Sequence, residues 1–176
     1  AGYYIPDRML EGYGPSGPAL VKIGEAGSRL IVTVDCGAQA FDAIAEANDA
    51  GLETIIVDHH QCATTLPAAF AVVNPNRLDE VPDAAMHGNL AAVGVAFLLG
   101  AAILRTLRAR NFFASRPEPD LRELLDLVAL GTVADVAQLT GFNRALVTQG
   151  LKIMAKRRNI GLAALMDAAR LTKPPT

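Results

Sequence analysis

The stretch LIVTVDCGAQAFDAIAEANDAGLETIIVDHH, residues 30–60, decides the fold of this chain. Leu30 to Val34 and Thr54 to Val57 are short runs rich in β-branched and aliphatic residues, which read as buried strands. Between them AFDAIAEANDAG places Phe41, Ile44, Ala45 and Ala47 or Asn48 on one helical face, and Gly51 supplies a C-terminal stop. Strand, helix, strand at this spacing specifies a parallel βαβ unit with a right-handed crossover, since a tight hairpin joins only antiparallel neighbours.

Outward from that unit, residues 2–5 (GYYI) and 70–73 (FAVV) read as two more short buried strands. Residues 16–26 suit a shorter crossover helix with Pro18 in its first turn. After Arg77 the pattern turns helical. Asn89 is placed to cap a helix reaching about Arg110, whose solidly apolar part, Leu90 to Leu104, spans 15 residues. A membrane span needs about 20, so a buried core helix is expected there. A second helix is expected from about Pro119 to Leu130, ending before Gly131. A third runs from about Asn143 to Lys156, burying Leu146 or Val147, Gly150, Leu151 and Met154, and a fourth covers 161–170. The expected class is α/β: a parallel Rossmann-like sheet with flanking helices over 1–77, followed by a mostly helical portion over 78–176.

With 176 residues, 51% hydrophobic and 19% charged, the chain can bury one sizeable core and is too apolar to be disordered. Sixteen basic against 18 acidic residues give a net charge of −2, which taken alone argues against a nucleic-acid partner or an anionic membrane. The total conceals an asymmetry. Residues 1–100 hold 4 basic and 12 acidic side chains, residues 101–176 hold 12 and 6. Cys36 and Cys62 are too few for a disulfide scaffold and suit a reduced, cytoplasmic compartment. No charged segment followed by an apolar one opens the chain, so no signal peptide is expected.

Asp35 follows one strand directly, and Asp58-His59-His60 follows the next. Ligands of open α/β sheets bind at the carboxyl edge of the strands, so neighbouring strands would bring both groups to one crevice. A carboxylate and imidazoles converging there suit a divalent transition metal such as Mn²⁺, although an Asp at a strand end also serves as a helix cap or turn residue. Asp135, in LGTVAD, adds a third carboxylate, either a ligand or a cap, which apolar surroundings would make costly unless paired. His87, beside Gly88-Asn89, reads as a loop or helix-entry residue. Residues 12–16 (GYGPS) lack the spacing of known phosphate loops and read as a turn. Cys36, next to a carboxylate, is disfavoured as a thiolate nucleophile. On the third helix Arg144, Thr148, Lys152 and Lys156 recur every four residues, a stripe that is either a solvated face or a phosphate-contacting one.

Val57-Asp58-His59-His60 resembles the signature of the DHH phosphoesterase superfamily. Residues 3–16 (YYIPDRMLEGYGPS), 31–37 (IVTVDCG), 72–77 (VVNPNR), 90–99 (LAAVGVAFLL) and 127–151 (LVALGTVADVAQLTGFNRALVTQGL), in this order, resemble the RecJ-type single-strand-specific exonucleases within it. The resemblance implies a domain holding two Mn²⁺ or Mg²⁺ ions that hydrolyses phosphodiester bonds of single-stranded DNA from the 5′ end, in repair and recombination. It implies that Asp35 bridges the ions and that His59 and Asp135 ligate one of them. His60 would contact the scissile phosphate and Asp58 would orient its neighbours. Arg8, Glu11 and Ser16 fall in a segment near the cleft, and Arg144, Lys152 and Lys156 on a helix that would line the DNA path. Other repair proteins are conceivable partners and a membrane is not.

The family's first motif, an Asp-x-Asp cluster, occurs nowhere in the 176 residues, and neither does the glycine- and histidine-rich clamping domain that follows the DHH domain. The expectation is therefore a partial DHH domain, an internal piece of a larger enzyme, with at most one ion and little or no nuclease activity of its own. Two other readings remain: a DHH phosphodiesterase acting on short oligonucleotides, cyclic dinucleotides or pyrophosphate, and a non-catalytic scaffold derived from the family.

Overall fold

Strand β1, Leu30–Val34, and strand β2, Glu53–Val57, pair in parallel with Leu30 opposite Glu53 and Val34 opposite Val57. Strand β3, Ala71–Val73, adds to the other side of β2, also in parallel, giving the order β1-β2-β3. The computed structural model describes residues 1–171 and 173. The chain divides into two compact units, Ala1–Gly88 and a second that begins at Asn89.

In the first unit, helix α1 is a single turn, Arg8–Glu11, capped by the Asp7 carboxylate. Helix α2, Gly17–Glu25, starts at Ser16, whose hydroxyl accepts from the Ala19 N–H at 3.4 Å, with Pro18 in the first turn. Helix α3, Phe41–Asp49, links β1 to β2, and the short helix α4, Pro82–Ala85, follows β3. Leu20 of α2, Ala43, Ile44 and Ala47 of α3, and Ile31, Leu52 and Ile56 form one core, so both helices cover the same face of the sheet. The buried face of α3 is therefore set by Ala43, Ile44 and Ala47, while Phe41 and Ala45 turn outward. Gly51, at φ 74, ends the helix as expected.

Three strand expectations need correcting: the first is that residues 70–73 are not a buried strand, since Phe70 lies outside β3 and is exposed and Ala71–Val73 are only half-buried. β1 alternates instead of being buried throughout, with Leu30, Val32 and Val34 about half exposed on the face that no helix of this unit covers. Residues 2–5 form no strand: Tyr3 is 92% and Ile5 80% exposed. The backbone there pairs with no strand among the described residues; the segment is followed by Pro6, which has no N–H to give a ladder, and the Tyr4 hydroxyl donates to Glu11.

The second unit comprises helix α5, Ala92–Ala109, a 3₁₀ turn at Leu121–Leu124, and helices α6, Leu125–Ala134, α7, Gly141–Met154, and α8, Ile160–Ala168. Three expectations shift here. Asn89 does not cap α5; its amide donates to the Thr140 hydroxyl at 2.9 Å, and its carbonyl accepts from the buried Asn143 amide at 2.7 Å. α5 is not a buried core helix, because only Ala92, Gly94 and Val95 at its start are buried; by length and composition it is apolar enough to cross a membrane. Gly131 does not stop α6. The missing side chain lets Val93 pack against the helix, which continues to Ala134 and ends where Val136 turns left-handed at φ 57. There the Ala137 N–H bonds back to the Thr132 carbonyl at 3.2 Å, a closure that normally uses glycine.

Helix α6 packs tightly against α7 at Gly150. A Cβ on Gly150 would lie 2.1 Å from the Leu125 carbonyl oxygen and 2.5 Å from the Ala129 Cβ. Gly150→Ala must push the helices apart, and a loss of about 1–3 kcal/mol is expected. Urea titration of the variant against the wild type measures it.

Candidate metal centre

The carboxyl ends of β1 and β2 lie side by side, and the residues that follow each strand turn toward one another. Asp35 ends β1 in the left-handed region, at φ 63, while its N–H still donates to the Val57 carbonyl at 2.9 Å. Gly37, at φ 110, completes the turn, and a side chain there would meet the Thr33 hydroxyl at 2.8 Å, so the path from strand to α3 requires glycine. The turn leaves the Asp35 carboxylate outside the sheet, with Oδ1 3.2 Å from His59 Nε2. Asp35, His59 and His60 each offer one ligand atom within 4.8 Å of the others.

Asp58 lies beneath this cluster and is 1% exposed. Its Oδ2 accepts from the Ala38 N–H at 2.9 Å, and its Oδ1 from the His59 N–H at 2.8 Å, the His60 N–H at 3.3 Å and His60 Nδ1 at 2.7 Å. Burial would raise its pKa, but these bonds outweigh it and hold the carboxyl below its ordinary value. Because an ionised carboxylate only accepts, the His60 proton sits on Nδ1 and Nε2 is left to face other groups. Asp58 is a support and not a free donor, its oxygens being occupied.

Two asparagines secure the loop from behind. Asn74 Nδ2 donates to the His60 carbonyl at 2.9 Å, and Asn76 Nδ2 to the His59 carbonyl at 2.6 Å and the Gly88 carbonyl at 2.8 Å. The Tyr13 hydroxyl lies 3.1 Å from the Asp35 carbonyl oxygen and 3.3 Å from His60 Nε2. A cavity of about 780 Å³ opens beside His60, lined by Tyr13, Gly37, Ala38, Phe41 and Glu46 among others. Cys36 is a free thiol, raised in pKa by burial and then by the charges of Asp58 and Asp35.

Arg8 is exposed, its guanidinium 5.8 Å over the Tyr13 ring; Glu11 accepts from Tyr4 and from the Asp7 N–H; Ser16 caps α2. Arg144, Lys152 and Lys156 form an exposed stripe on and just beyond α7. Asp135 belongs to the second unit, where it ends α6 as an exposed residue. The sequence reading missed Tyr13, the Ala38 amide, Asn74 and Asn76. The asparagines had one signal, an Asn-Pro-Asn run directly after β3.

The profile of the DHH family, N-terminal domain, matches residues 1–132. The chain belongs to the DHH family. It is 44% identical over 171 residues to the single-stranded-DNA-specific exonuclease RecJ of Dickeya dadantii, covering 95% of this chain and 29% of that protein. The RecJ of Thermus thermophilus is 38% identical over 172 residues, 96% of this chain and 23% of the relative. A crystal structure of exonuclease RecJ bound to manganese matches with a TM-score of 0.73 at 37% identity, over 96% of this chain and 40% of that one. The chain thus spans less than a third of the length of these curated relatives. One carboxylate and two imidazoles form a mixed oxygen and nitrogen donor set, and Asp58 fixes one ring through its far nitrogen; both features fit a divalent transition ion of the manganese type in this DHH domain.

Asp58→Ala leaves three backbone N–H groups and His60 without their acceptor, a loss of about 3 kcal/mol or more. Since the folded pKa of Asp58 is depressed, its contribution is present above the unfolded value near 3.8 and disappears as pH falls through the lower folded one. Asp58→Asn is therefore expected to be less stable at neutral pH and to lose stability less steeply below about pH 4. Denaturant titrations across that range measure both effects.

Proposed function

We propose that this chain is the core of a metal-dependent 5′→3′ exonuclease that hydrolyses phosphodiester bonds of single-stranded DNA in repair and recombination. The observation that carries the reading is the convergence of Asp35, His59 and His60 at one sheet edge over a buried, fully engaged Asp58. The RecJ relatives, named for single-strand-specific exonuclease activity, support the substrate class.

Asp35 would bridge two Mn²⁺ or Mg²⁺ ions, with His59 and Asp135 as further ligands of one of them. Ions so held would lower the pKa of a water and neutralise charge on the phosphoryl oxygens. The work of the chain itself is positioning. Asp58 fixes the His60 ring, Asn74 and Asn76 fix the loop by its carbonyls, and His60 would contact the scissile phosphate. Arg8, Glu11 and Ser16 would border the strand near its end, while Arg144, Lys152 and Lys156 would contact backbone phosphates. A reducing, cytoplasmic setting suits the free Cys36 and Cys62.

Three outcomes test this reading. The 176-residue chain alone, lacking any Asp-x-Asp cluster, should degrade single-stranded DNA negligibly with Mn²⁺, and robust digestion would overturn the half-site argument. In the product of the complete coding sequence, Asp35→Ala should abolish hydrolysis, whereas wild-type rates would exclude its assignment as a ligand; comparing long strands with dinucleotides separates an exonuclease from an oligonucleotide phosphodiesterase. Replacing Lys152 and Lys156 by Ala should weaken single-strand binding and lower the salt slope by about 0.7 per lost phosphate contact. An unchanged slope returns the stripe to a solvated surface.

A further inference from the structure

We propose that Tyr13 is a positioning residue for His60, the second of two anchors that fix the imidazole at the mouth of the cavity; this rests on the reading that His60 contacts the scissile phosphate. The first anchor is on the inner side of the ring, where Nδ1 is 2.7 Å from Asp58 Oδ1. One hydrogen bond sets a distance and leaves the ring free to tilt about it, and the His60 side chain is 48% exposed, so packing does little to prevent the tilt. The Tyr13 hydroxyl meets the same ring between its two nitrogens, 3.5 Å from Nδ1. The hydroxyl is 3.3 Å from Nε2, and the two rings stand edge to face at 79° with centroids 6.0 Å apart.

The placement of Tyr13 is itself determined. Gly12 and Gly14 flank it at φ 81 and φ 85, so the backbone enters and leaves this residue through left-handed turns open to glycine. Arg8 lies over one face of the ring, and the hydroxyl reaches the Asp35 carbonyl oxygen at 3.1 Å. A phenol has one proton, and the Asp35 carbonyl and the unprotonated Nε2 are both acceptors, so the hydroxyl donates to one of them while resting against the other. The hydroxyl thereby ties the end of β1 to the loop after β2, the two segments that carry the clustered side chains. Tyr13 is 65% exposed and belongs to no core cluster, so removing its hydroxyl leaves the fold intact and isolates the orienting role.

The test has two arms. In the 176-residue chain labelled with ¹⁵N-histidine, Tyr13→Phe should shift the His60 Nε2 resonance and its ring protons while leaving His87 unchanged; a His60 spectrum identical to wild type overturns the proposal. In the product of the complete coding sequence, Tyr13→Phe should lower kcat about tenfold with KM within about twofold, the signature of lost alignment and not of lost binding. In a His60→Ala background the same substitution should cost nothing further. Independent, additive losses would show that Tyr13 acts other than through His60 and would also overturn the proposal. A complete product without nuclease activity would defeat the reading of function, and the spectroscopic arm would still decide the role of Tyr13.

Discussion

The buried carboxylate of Asp58 is the constraint around which the first unit is arranged. It accepts the amide of Ala38, which leads into α3, the amides of both following histidines, and the ring of His60. An ionised group this deep is tolerable only when its oxygens are satisfied, so the turn after β1 and the loop after β2 must adopt compatible conformations together. The main-chain bond from Asp58 N–H to the Val73 carbonyl, at 3.1 Å, joins β3 to the same arrangement. Asn74 and Asn76 then hold the histidine carbonyls. The cluster of Asp35, His59 and His60 is thus the outer layer of a network whose inner layer is almost wholly hydrogen-bonded backbone.

Much of this was legible in the chain. Residues 30–60 carry strand, helix and strand in unmistakable order, and the two strand ends announce their polar residues because carboxyl edges of parallel strands are where such residues gather. The resemblance carried by Asp58-His59-His60 and its surrounding segments pointed to the family that the profile over residues 1–132 identifies. What stayed hidden depends on long-range geometry. Nothing local marks Tyr13 as a neighbour of His60, 47 positions away. Residues 2–5 have strand composition, yet β structure needs a partner with free ladder groups, and composition cannot supply one. Gly131 looks like a stop for the same reason. Whether a glycine ends a helix or admits a neighbouring side chain is decided by Val93, 38 residues earlier.

The two units are stabilised by different means. In the first, apolar side chains from α2 and α3 cover one sheet face, and β1 keeps its other face half open. In the second, α6 and α7 approach at glycine and alanine, close enough for backbone to meet side chain at Gly150, and the buried Asn143 amide ties α7 to Asn89 and Gln138. The half-exposed side of β1 tolerates changes in side-chain volume, whereas a helix pair in contact at Gly150 does not.

The left-handed turn at Asp35 limits how this sequence can drift. Asparagine and glycine are the residues that accept such a φ most readily, and either would keep the turn while deleting the negative charge. Glutamate would keep the charge but carry it one methylene farther on a backbone it fits less well. Shape and charge at this position therefore cannot be exchanged one at a time. A lineage that loses the carboxylate can retain a well-folded domain, so a stable relative with asparagine or glycine here would be a folded protein stripped of this charge and not a failed fold.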